Sequence, residues 1–267
     1  MALLSTENLN QISTNVNKIG YFKIKNFLDD KTVSKVIRLF PSPKPKEETR
    51  IKIPTKWISF LIKLLKFEFK LFYIGLYLLR LKNKLNCDQI MKFAQSQNCK
   101  LVSMDLVYNS KKNELIKKWH ADQLHNFNGK NKGIFKFFIY LTPTSSDNGC
   151  LAYIDKSNVL SNTIAELMFK GKLPKENIYN LDRYTKFINK TEIKDKILKT
   201  QNSNNIDLND VIKKVTKVND NHETKEFDIE IENSGDCLLF DETGMHRAAP
   251  TKQDRYVLRF LYQNINN

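Results

Sequence analysis

Apolar and polar residues alternate from Gly20 to Ile24 (GYFKI), the two-residue period of a strand. Val33, Val36, Ile37 and Phe40 then recur at helical spacing within Thr32 to Phe40, so the pattern predicts that the chain opens with a strand and then a helix. Pro41 to Glu48 (PSPKPKEE) is dense in breakers and predicts a loop. Beyond it, Lys56, Ser59, Lys63, Lys66 and Lys70 recur at steps of three and four, which draws one narrow polar stripe along an otherwise apolar helix. Asp88 to Gln97 predicts a further short helix, making 1–100 a mainly helical part. From Leu101 the texture changes to strand-like runs at Leu101–Tyr108, Leu115–Trp119, Ile134–Leu141, Cys150–Ile154, Glu226–Ile231, Cys237–Phe240 and Tyr256–Tyr262. These fall into two groups, 101–157 and 221–265. Between them lies a polar, Lys- and Asn-rich insertion, 158–220, with helical patches at Thr163–Phe169 and Leu208–Val215. The sum predicts one α+β unit over 1–267: a jelly-roll core of antiparallel strands, N-terminal helices packed outside it, and a helical insertion placed to act as a lid.

Composition narrows the class. A chain of 267 residues buries enough surface to fold without a disulfide or structural metal, so any metal here is expected to be catalytic. The cysteines Cys87, Cys99, Cys150 and Cys237 form no C-x-x-C, which argues against a zinc ribbon or a dense disulfide framework. With no basic-then-apolar leader, a cytoplasmic location is expected. The longest apolar run, Leu71 to Leu79, is about half of what a bilayer span requires.

The net charge of +15 is partly local: between Ile51 and Leu85 eight basic residues face the single acid Glu68. Such a helix suits an anionic membrane surface or a polyanion. That defines a competing class, a non-catalytic basic protein binding through 56–84. The favoured reading of the same helix is a core-packing element with a solvated lysine edge, compatible with peripheral membrane contact. The aromatics are not interleaved with Arg, so nucleic acid is not an expected partner.

The chemistry is concentrated around two of the four histidines. Trp119-His120-Ala121-Asp122 ends a strand-like run, and residues two apart on a strand share a face, so His120 and Asp122 can reach one metal. Further on, Gly235-Asp-Cys-Leu-Leu-Phe-Asp-Glu-Thr-Gly-Met-His246 is a turn, an apolar strand and a histidine just beyond it. Arg255 opens the last strand. Two histidines and one carboxylate leave three positions open on a metal, the facial triad of non-haem Fe(II) oxygenases, and a nearby Arg can grip a dicarboxylate by its far end. His125 stands at odd spacing from Asp122, which predicts a loop residue, and His222 sits in a polar run expected in solvent. Trp119, alternating away from His120, is expected in the core.

In order and spacing these blocks resemble the phytanoyl-CoA dioxygenase-like 2-oxoglutarate/Fe(II) oxygenases. Gly20-Tyr-Phe-Lys-Ile-Lys-Asn-Phe-Leu-Asp looks like the family's opening, Trp119-His120-Ala-Asp122 like its W-H-x-D, and Phe137-Phe-Ile-Tyr-Leu-Thr142 with Asn148-Gly-Cys-Leu-Ala-Tyr-Ile154 like the strand pair that follows. The resemblance implies a cupin-like double-stranded β-helix, with His120, Asp122 and His246 on Fe(II) and Arg255 on the C5 carboxylate of 2-oxoglutarate. It also sets Phe138 beside that cosubstrate. Lys136, on the strand face of Phe138 and Tyr140, is a second candidate cation for the pocket, or else a solvent-facing lysine. The implied reaction is hydroxylation of a small-molecule substrate by O2, with 2-oxoglutarate converted to succinate and CO2; Asp at 122 argues against halogenation, while the same triad also permits desaturation or ring formation. Two departures stand out. Asp155-Lys-Ser-Asn158 replaces the family's P-G-S-H, and Arg255 lies slightly close to His246, which keeps Arg259 as an alternative clamp.

Overall fold

The computed structural model describes residues 6–40, 48–55, 61, 63–66, 68–95, 99–110, 118–122, 134–200, 206–218 and 225–264. The first described element is a helix, α1 (Thr6–Lys18), before the expected strand β1 (Tyr21–Ile24). Only Leu9, Ile12 and Val16 mark the buried face of α1, and the polar residues between them obscure the period. Helix α2 (Asp30–Ile37) starts at Asp29, whose carboxylate accepts from Thr32 N at 2.8 Å.

A second correction follows. The chain forms an edge strand, β2 (Glu48–Pro54), where Ile51 and Ile53 alternate with Arg50 and Lys52. Among the described residues, the predicted long basic helix is broken. Residues 61 and 63–65 are helical, the chain then turns with Glu68 N bonded to Lys63 O, and α3 (Phe69–Lys84) restarts, followed by α4 (Cys87–Gln95). Lys56 and Ser59 lie outside the described residues.

The remaining elements are β3 (Cys99–Asn109), β4 (Ile134–Tyr140), β5 (Leu151–Tyr153), α5 (Ser157–Phe169), α6 (Leu181–Ile188), α7 (Thr191–Leu198), α8 (Leu208–Lys217), β6 (Asp228–Ile229), β7 (Cys237–Asp241), β8 (His246–Ala248) and β9 (Arg255–Asn264). Of the expected strand Leu115–Trp119, only Lys118 and Trp119 fall among the described residues, and neither is in a strand.

The strands form a six-stranded sheet, β1-β7-β4-β9-β3-β2, and a three-stranded sheet, β6-β5-β8, antiparallel throughout. Both faces of the larger sheet are covered. Phe135, Phe137 and Ile139 of β4, with Leu258, Phe260 and Tyr262 of β9, pack in one cluster with α1, α3 and α4 residues such as Ile12, Leu78 and Ile90. The alternate residues Tyr140, Leu238, Phe240 and Val257 meet Leu151 and Tyr153 of the smaller sheet. Coverage on both sides explains why these strands read as continuous apolar runs. A separate cluster joins α5–α8 to Trp119, Ala121, Ala152, Ile154 and Met245 beside the smaller sheet. The molecule is thus four layers: N-terminal helices, large sheet, small sheet, insertion helices.

Candidate metal centre

His120 and His246 face each other across an antiparallel bridge. Each backbone N–H donates to the other residue's carbonyl at 2.9 Å, and the two rings stand 4.4 Å apart. A further backbone bond, Asp122 N to Glu242 O at 2.9 Å, holds the next carboxylate alongside. The result brings one donor atom from each of His120, Asp122 and His246 within 4.8 Å of one another. His120 Nε2 stands 3.8 Å from Asp122 Oδ1.

Both imidazoles have their tautomer set by the backbone. His120 Nδ1 lies 2.7 Å from Lys118 O, and His246 Nδ1 lies 2.8 Å from Gly244 O. A carbonyl only accepts, so Nδ1 carries the proton in each ring and Nε2 presents its lone pair to the centre. Burial, reinforced by His120 beside it, pushes the His246 pKa down to about 3, leaving a neutral ring ready to coordinate. Asp122 is the most open of the three, its side chain 26% exposed.

From this centre an aromatic path runs between the sheets. Phe240 lies 5.5 Å from the His246 ring, Phe138 lies 5.0 Å from Phe240, and the Arg259 guanidinium sits 5.5 Å over Phe138. Arg255 is deeper along β9. Its guanidinium donates to Asn109 Oδ1 at 2.8 Å and to the Gly149 carbonyl, both neutral acceptors. Arg259, by contrast, is 3.4 Å from the buried Asp105 carboxylate, which also receives Arg50 at 2.7 Å. Tyr140, between the arginines' strand and the small sheet, is fully buried, and its hydroxyl has no hydrogen-bond partner among the described residues. Cationic side chains around an unsatisfied buried hydroxyl fit a bound carboxylate.

Of the two expectations for Lys136, the solvent-facing one does not hold, its side chain being 16% exposed. Its ammonium sits at the metal end, in contact with Glu242 and 3.7 Å from Asp122 Oδ2. Trp119 is fully buried under Arg247, as expected of a core residue. His125 and His222 lie outside the described residues.

Two participants escaped the sequence reading. Glu242 was legible in principle, two residues beyond Phe240 and so on its strand face. Tyr179, its ring 5.3 Å from His120, carries no local signal. It arrives because Ala121 N bonds Tyr179 O and Leu181 N bonds Trp119 O, a tertiary pairing.

A cavity of about 890 Å3 lies elsewhere, lined by Leu9, Phe27, Leu81 and Gln89 among others, between the N-terminal helices and the loop at 232–234, and it includes none of His120, Asp122, His246, Arg255 and Lys136.

No curated protein sequence matches the chain. Among solved structures, the epimerase SnoN from nogalamycin biosynthesis, described as non-haem and α-ketoglutarate dependent, is 12% identical with a TM-score of 0.54, covering 97% of this chain and 82% of that one. EvdO2 from Micromonospora carbonacea var. aurantiaca is 13% identical with a TM-score of 0.53, over 99% and 94%. HygX from Streptomyces hygroscopicus, solved with nickel and 2-oxoglutarate, is 15% identical with a TM-score of 0.51, over 97% and 87%. At such identities the likeness speaks for the jelly-roll fold. Family membership rests on sequence: the profile described as Phytanoyl-CoA dioxygenase (PhyH) matches residues 74–257, most of the chain, and the protein therefore belongs to the phytanoyl-CoA dioxygenase family of Fe(II)- and 2-oxoglutarate-dependent enzymes.

Proposed function

We propose that the protein hydroxylates a lipid-like or anionic small molecule, with His120, Asp122 and His246 as the iron ligands and Arg255 as the clamp for the far carboxylate of 2-oxoglutarate. The observation that carries the reading is the gathering of one donor atom from each of two imidazoles and one carboxylate within 4.8 Å, with each imidazole Nδ1 held by a backbone carbonyl. Iron bound there with 2-oxoglutarate and O2 supplies the oxidising power, consuming 2-oxoglutarate to succinate and CO2. The chain supplies geometry. Lys118 and Gly244 carbonyls aim the imidazoles, Phe138 and Phe240 keep the path beside them apolar, and Arg255 fixes the cosubstrate's length. Arg255 is preferred to Arg259 because Arg259 already pairs with the buried Asp105 carboxylate, while Arg255 is oriented by Asn109 Oδ1 and the Gly149 carbonyl beside the buried Tyr140 hydroxyl.

Peripheral contact with an anionic membrane is a second element of the proposal. Of the seven exposed large apolar residues described, Leu61, Leu65, Phe69 and Tyr73 fall together, beside the exposed Lys66 and Lys70.

The test is anaerobic addition of Fe(II) to the apoprotein with 2-oxoglutarate, read by the visible charge-transfer band of the chelate. The band is expected in the wild type, absent in His246→Ala, weakened about tenfold or more in apparent affinity in Arg255→Ala, and much less affected in Arg259→Ala. A wild type without a band defeats the oxygenase assignment of this site. A band lost with Arg259 but kept without Arg255 reverses the clamp.

A further inference from the structure

Glu242 is a carboxylate buried beside the metal-ligand set and not counted in it. It follows directly on β7, its carbonyl accepts from Asp122 N at 2.9 Å, and its residue is 3% exposed. One ammonium stands between the two acids: Lys136 contacts Glu242 Oε1 on one side and lies 3.7 Å from Asp122 Oδ2 on the other. The other oxygen, Asp122 Oδ1, is the one turned toward His120 Nε2, at 3.8 Å. A buried carboxylate needs a cation, and Lys136 is the one in contact with Glu242.

We infer that Lys136 acts through Glu242, neutralising it so that it does not become a fourth protein ligand, and engages the outer oxygen of Asp122 so that this residue ligates through Oδ1 alone. The inference rests on the metal-centre reading above. Its functional content is coordination number. Two histidines and one monodentate carboxylate leave three positions for cosubstrate and O2, and a Glu242 ligand would close one of them. Lys136 is thus a positioning residue, distinct from the cosubstrate clamp.

The test uses Co(II), whose visible spectrum reports coordination, in the full chain under argon, with 2-oxoglutarate added second. Lys136→Met should bind Co(II) about tenfold or more tighter, because a unit positive charge has been removed close to a dication. It should show an altered visible spectrum and bind 2-oxoglutarate about tenfold more weakly. The double variant Lys136→Met/Glu242→Gln should return the spectrum and the 2-oxoglutarate affinity toward wild type, and Lys136→Arg, which keeps the charge, should resemble wild type throughout. If Lys136→Met instead loses Co(II) and Glu242→Gln does not restore it, Lys136 merely supports Asp122 and the inference falls. Unchanged metal and 2-oxoglutarate binding in Lys136→Met overturns it as well. A wild type that takes up no Co(II), or a His246→Ala variant that keeps it, refutes the metal-centre reading and this inference together.

Discussion

His246 and Asp241 are buried within five residues of each other with opposite consequences for stability. His246 stays neutral down to about pH 3 in the fold, against 6.5 when unfolded, so its contribution is lost as pH falls below 6.5. Burial raises Asp241 to about 6 from 3.8, despite the hydrogen bonds it accepts from Thr243, so its contribution is lost as pH rises through 6. Between these limits the two slopes oppose. His246→Gln removes one of them, so the apoprotein variant should gain stability relative to wild type on going from about pH 7 to about pH 4.5, by urea denaturation. A constant difference between the two proteins would mean that His246 titrates alike in the folded and unfolded chain. At this scale much of the site was legible, because strand parity puts His120 with Asp122 and aligns Lys136, Phe138 and Tyr140. What parity does not give is which neighbour each cation meets. Lys136 was set with the cosubstrate, yet it bonds Glu242, a partner supplied by the β4–β7 pairing and not by its own segment.

Elements were legible where one periodicity dominated and obscure where packing overrode it. β3, β4, β5, β7 and β9 carry apolar runs and fall within a few residues of expectation, whereas β8, too short and polar to show a period, was not expected; β2 was concealed by its charges, and α6 and α7 by the lysine-rich composition around their few buried residues. The turn between β7 and β8 shows how tightly one element depends on another. A methyl group at Gly244 would collide with the Tyr153 hydroxyl, which is buried and donates to Asp241 O at 2.9 Å. Gly244 also supplies the carbonyl that orients His246. Gly244→Ala should therefore cost about 1–3 kcal/mol of stability, seen as a lower denaturation midpoint, and also weaken Co(II) binding. Normal metal affinity in a destabilised variant would separate this turn's packing role from its role in aiming the histidine.

On the scale of the whole molecule, the four layers divide labour. The large sheet carries the arginines and Lys136, the small sheet carries His246, and the N-terminal helices cover the far face. The exposed apolar and lysine side chains at 61–73 lie on that helical side. If this surface meets an anionic membrane, the protein should sediment with phosphatidylserine-containing vesicles at low salt, and Leu65→Glu with Phe69→Glu should abolish it. Equal sedimentation of wild type and double variant would remove the patch from consideration. This arrangement was only half legible. The sequence marked the basic segment, but not the turn that brings Glu68 N onto Lys63 O or the exposure of Leu65 and Phe69.

The segment 119–121 is pinned on both edges, by His246 on one side and by residues 179–181 on the other, and Asn180 also caps α6 through the Arg183 amide. Part of the helical insertion is thereby tied to the ligand-bearing strand. Any hinge that peeled 179–181 away would surrender the hydrogen bonds of Ala121 and Leu181 and unmoor His120 with them. Amide exchange at those two positions should accordingly be as slow as in the small sheet, leaving the insertion a fixed wall at this point.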